Sequence, residues 1–183
     1  MRDRIAARVV LTLLLGAVAM PVSVAAKSAA GKSAGDQGGN LATRVEGSFD
    51  NPAGAGSFDG TLTLNGFARR GDRIGAAATL EGTFTDGAGK ELGDLPEQAV
   101  TISLDPAAVS ATCQRAKLTL DAGAVDGAGV HARLQPVELE IDANTVPGHK
   151  LDGLLCELAK LVQPAPDAGA VAQQLDRILD ALE

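Results

Sequence analysis

Ile74 to Thr85 reads IGAAATLEGTFT. Ile74, Ala76, Ala78, Leu80 and Phe84 fall on one parity, and Ala77, Thr79, Glu81, Thr83 and Thr85 on the other. That period of two marks a strand with one buried and one wet face, because successive side chains leave a pleated backbone on opposite sides. Turn sequences bound it, Arg69-Arg70-Gly71-Asp72 before and Asp86-Gly87-Ala88-Gly89 after. Upstream, Leu41, Thr43, Val45 and Phe49 oppose Arg44, Glu46 and Ser48, and a turn follows at Asn51-Pro52-Ala53-Gly54. Phe58, Leu62 and Leu64 then alternate with Asp59, Thr61 and Thr63. At Asn65-Gly66 the phase slips and Phe67 changes parity, which predicts a β-bulge.

Downstream the alternation recurs. Val100, Ile102 and Leu104 make one strand, and Ala116, Leu118 and Leu120 oppose Arg115, Lys117 and Thr119 in the next. Val130, Ala132 and Leu134 follow a second Asp-Gly-Ala-Gly turn, Asp126 to Gly129, and Val137, Leu139 and Ile141 oppose Glu138, Glu140 and Asp142. About seven half-buried strands joined by short turns predict a mainly β (α+β) domain over residues 41–145, an antiparallel sheet or partly closed barrel.

After Pro147-Gly148 the apolar period lengthens. Leu151, Leu154, Leu155, Leu158, Leu161 and Val162 follow helical spacing, with Cys156 on the flank of that stripe. From there Cys156 can reach a neighbouring strand or loop without vacating a core position. Pro164 and Pro166 end this helix, and Asp167 is a cap for a second one, whose apolar face is Val171, Leu175, Ile178, Leu179 and Leu182. Two amphipathic helices over residues 146–183 need a surface to cover, and the open face or mouth of the sheet is the nearest.

The chain begins with an address. Arg2, Arg4 and Arg8 precede the apolar run Val9 to Met20, and small residues close at Val24-Ala25-Ala26, so residues 1–26 read as a secretory signal peptide cleaved after Ala26. The apolar run is 12 residues, against about 20 for a comfortable membrane span. Arg2 and Arg4 are not adjacent, as a twin-arginine signal requires. Residues 27–40, KSAAGKSAGDQGGN, have little to bury and read as a flexible leader. Cleavage removes three Arg and one Asp and takes the formal charge from −7 to −9. An acidic chain of 183 residues with four Phe and no Trp or Tyr lacks both the basic stripe and the stacking platforms of a nucleic-acid partner. The expected location is the periplasm or the extracellular space, with no transmembrane segment after cleavage.

Cys113 and Cys156 are the two cysteines. An even count in an oxidising compartment reads as a structural disulfide. The alternatives, a redox couple or a metal pair, are served less well, since redox pairs favour C-x-x-C spacing and no histidine clusters with these two.

The segment Gly60 to Gly89, GTLTLNGFARRGDRIGAAATLEGTFTDGAG, resembles the Thr-rich hairpins of a group of uncharacterised exported bacterial proteins. Cys113 to Leu161 resembles their C-terminal half, where one Cys opens alternating strands and a second follows a Pro-Gly in a Leu-rich helix, as in PGHKLDGLLCELAKL here. The resemblance implies export and the cysteine pairing, and it carries over no catalytic residues. This chain departs from the group where Leu-rich strands give way to Ala, Gly and charge, DAGAVDGAGVHARLQPVELEID.

Several motifs suggest chemistry. Gly31-Lys32-Ser33-Ala34-Gly35 matches a nucleophile elbow by letter but lies in the leader, without the strand and helix that strain such a turn. The same Gly-Lys-Ser echoes a phosphate loop, yet the glycine required five residues earlier is Ala26. His131 and His149 are the only histidines, and Glu138 and Glu140 would face His131 if their strands paired. The two Asp-Gly-Ala-Gly sequences read as hairpin turns, not as calcium loops. No catalytic, cofactor-binding or metal residue is assigned. The expected function is a secreted or periplasmic, non-enzymatic β-rich module, binding or envelope-associated, with an apolar ligand or envelope component as partner. A second reading is a carrier of an apolar small molecule in a pocket between sheet and helices, for which Ala on the strand faces leaves room. An enzyme built on His131 is the third.

Overall fold

The computed structural model describes residues 41–52, 54–144 and 151–182. The expected signal peptide and leader, the Gly31–Gly35 motif and Pro147-Gly148-His149 lie outside them. Eight strands and two helices are formed there: β1 Ala42–Asn51, β2 Gly54–Arg70, β3 Arg73–Thr85, β4 Glu91–Ala111, β5 Arg115–Leu120, β6 Ala124–Gly127, β7 Val130–Leu134, β8 Val137–Asp142, α1 Leu151–Leu161 and α2 Ala168–Asp180. All strands join one antiparallel sheet in the order β6-β7-β1-β2-β3-β4-β5-β8.

The connection from β7 to β8 explains the curl of this sheet. β7 pairs with β1 and β8 with β5, six strand positions away, yet only Gln135 and Pro136 separate them. In a flat sheet those strands would lie about 29 Å apart, at roughly 4.8 Å per spacing. The chain from Leu134 to Val137 reaches about 11 Å at most. The sheet therefore curls into a half-barrel. Val130 to Asp142 behaves as one bent strand, its first part bonded to β1 and its second to β5.

Alternation sets the inner face. Val45, Phe49, Phe58, Leu62, Leu64, Ile74, Leu80, Leu104, Leu118, Leu120 and Leu139 are buried there, while Arg44, Glu46, Asp59, Thr61 and Glu81 stay exposed outside. The bulge expected at Asn65-Gly66 is present: the β2–β3 register shifts between Leu64 and Gly66, and Phe67 turns inward. At one end of the half-barrel Phe84 packs against Phe49 and Phe58, with ring centroids 6.0 and 4.9 Å apart. The Phe58 ring lies on the facing glycines Gly60 and Gly82, and a Cβ on Gly82 would come 2.6 Å from Phe58 Cζ. Gly127 of β6 sits on Phe84 and Leu95 in the same way, which folds β6 over that end.

Two differences from the sequence reading stand out. The short strand β6 is extra: of its four residues only Val125 is apolar and buried, so no alternation announces it. β4 runs 21 residues through Pro96 and Pro106. Each proline falls at a register shift, between the pairs Gly82–Leu95 and Leu80–Gln98 and between the partners of Leu104 and Val109. Irregular positions of this kind tolerate the missing N–H.

Candidate functional site

The feature with most capacity for function is the concave face of the half-barrel together with its helical cover. Every buried side chain that the eight strands place inside is apolar except Thr43, which is 8% exposed. α2 lies mainly over β2, and α1 packs on α2 and on β4 and β5. The expected stripes point inward: Leu151, Leu155 and Leu158 from α1, and Val171, Leu175, Ile178 and Leu179 from α2. Each contributes roughly 1.5–3 kcal/mol of burial before conformational entropy is counted. The small inner residues Ala76, Ala78 and Ala116 are enclosed, so in this state the cover shuts solvent out from the face they line.

Polar contacts fix the cover. Asp167 caps α2 as expected, its carboxylate accepting from the Ala170 N–H at 2.9 Å. Asp176 Oδ1 accepts from the Phe67 N–H at 3.0 Å, so the bulge of β2 finds its partner on α2. Gln174, 3% exposed, donates from Nε2 to the Leu154 carbonyl at 2.9 Å and ties the helices together. Cys113, exposed in the turn between β4 and β5, forms a disulfide with Cys156 on the flank of α1. The structure thus contains the pairing that the sequence suggested. Sequence reasoning missed Gln174 and Asp176, because nothing local marks a polar residue whose partner lies 20 or 109 positions away.

The charged groups form structural pairs on the outer surface. His131 does not meet Glu138 or Glu140, since β7 pairs with β1 and β6 while β8 lies beside β5. Its Nδ1 lies 2.7 Å from Asp126 Oδ1, across the β6–β7 hairpin. Glu140 instead meets Arg115 at 2.8 Å and Lys117 at 3.4 Å. Arg73 binds Ser103, Asp105 and Asp121. Arg44 binds Asp59 at 2.5 Å; that hydrogen bond, then the charges of Asp59 and Glu46, raises the guanidinium pKa above its ordinary value. Asp86 Oδ1 accepts from the Ala88 and Lys90 N–H groups, both at 2.9 Å, the turn chemistry expected of its Asp-Gly-Ala-Gly sequence.

Two concavities open on the outer surface. One, of about 410 Å³, is lined by Arg44, Asp59, Thr61 and Glu81, and the other, of about 320 Å³, by Glu157, Lys160, Gln173 and Arg177 between the helices. Among the described residues no three His, Cys, Asp or Glu gather in a group that could hold a metal ion. Nor is any helix among them long and apolar enough to cross a membrane. No family model, curated protein or solved structure matches the chain.

Proposed function

We propose that the protein is an exported, non-enzymatic module that binds an apolar ligand on the concave face of its half-barrel, beneath a helical cover of which α1 is the displaceable part. One observation carries the reading: a curled face without a charged side chain is covered by helices from the same chain, not by a second sheet. Such a face is a hydrophobic trough as soon as the cover moves. Two further facts support the rest. The Cys113–Cys156 bridge suits an oxidising compartment. His131 and Glu140, which first suggest catalysis, lie apart and are engaged in outer-surface pairs with Asp126 and Arg115.

The reading is tested with a polyene fatty acid whose fluorescence rises on leaving water, titrated into detergent-free protein in its oxidised and reduced forms. Saturable uptake near one per chain in either form is expected. The absence of uptake in both forms overturns the reading.

A further inference from the structure

We infer that the Cys113–Cys156 bridge is a redox-operated latch on α1: its reduction releases that helix from the β4–β5 turn while the sheet and α2 keep their places. The purpose of the movement, to uncover one end of the trough, rests on the apolar-ligand reading. The movement itself does not.

The two helices are anchored unequally. α2 has 13 residues, seven of them buried, a side-chain cap at Asp167 and the Asp176 bond to the bulge of β2. α1 has 11 residues with three buried, Leu151, Leu155 and Leu158. A helix of three turns is marginal in water without tertiary support. Among the described residues the disulfide is the covalent tie from α1 to the β4–β5 turn, and the bond between the Leu154 carbonyl and Gln174 leads to α2. The residues after α1 include Pro164 and Pro166, so the helix does not run on into α2. α1 packs on β4 and β5, where Leu104, Ala116, Leu118 and Leu120 face inward, so its departure uncovers that end of the trough.

The bridge is also open to attack. Cys113 is exposed in a short turn and Cys156 is half-buried on the helix flank, a setting in which thiol exchange proceeds. The reductant is a dithiol. Its first thiolate attacks Cys113 Sγ, the S–S bond breaks, and Cys156 leaves as a thiolate that takes a proton from water. Its second thiol then attacks the mixed disulfide, frees Cys113 as a thiol and closes the reductant's own disulfide, so two electrons and two protons pass to the protein.

Hydrogen exchange on the full exported chain, with and without dithiothreitol, is the test. Reduction is expected to bring the α1 amides close to unprotected exchange while the β2 and β3 amides, which exchange only through global unfolding, remain roughly a hundredfold slower or more. Re-bridging the two thiols with a dibromomaleimide should restore slow exchange. Unchanged α1 exchange after reduction overturns the latch, and so does a joint loss of protection in helix and sheet, which would make the bridge a general staple. A C113S/C156S variant is expected to fold with an exposed α1, and its failure to form the sheet likewise counts against the latch. The fatty-acid probe separates the two claims: release of α1 with no uptake in either redox state leaves the latch standing and removes the apolar-ligand reading.

Discussion

Gly82 and Gly60 face each other beneath the ring of Phe58, and neither needs unusual backbone angles. Their value lies in the missing Cβ, which lets an aromatic ring lie on the inner surface where the sheet bends. A methyl at position 82 would meet Phe58 Cζ at 2.6 Å and crowd the neighbouring backbone, so the ring or the strand must shift. Gly82→Ala is expected to cost about 2 kcal/mol by overpacking. Gly153→Ala, on α1 with open space around it, should instead gain about 0.5–1 kcal/mol from helix propensity. Urea midpoints of the two variants check both signs. Composition shows many glycines, but only the fold shows which of them touch a ring.

At the scale of elements, the bulge of β2 and helix α2 form one unit. Slipping the register at Asn65-Gly66 turns Phe67 into the core and leaves its N–H without a ladder partner, and Asp176 supplies one from α2. Asp176→Ala should therefore lower stability by about 1–2 kcal/mol and speed exchange of the Phe67 amide, measurable by urea unfolding and by NMR. The bulge itself was legible, because a break in parity is a local signal. So were both helices and the Asp167 cap. The short strand β6, the full length of β4 and the true partner of His131 were not. Each depends on which strands pair, and pairing is decided by the closure of the whole sheet rather than by any window of sequence. The trough was half legible: inward-facing residues follow from parity, but the enclosure of the Ala-lined face by the cover does not.

For the whole molecule, closure has two sources. The short Gln135-Pro136 link pulls the β1 and β5 sides of the sheet together, and the disulfide joins residues 43 positions apart. In the loop-entropy account such a bridge destabilises the unfolded chain by about 4 kcal/mol, less any native strain. Reduction is expected to lower the melting temperature by roughly 5–15 °C for a domain of this size, as scanning calorimetry can measure. An unchanged melting curve with both thiols freely labelled in the native protein would mean that the bridge is absent from solution.

The order of sheet and cover along the chain has one more consequence. The strands that build the greasy side of the half-barrel end at Asp142, while the side chains that shield it, Leu151 through Leu179, come later in the chain and emerge last. For that interval the nascent polypeptide presents an unshielded oily groove to its surroundings.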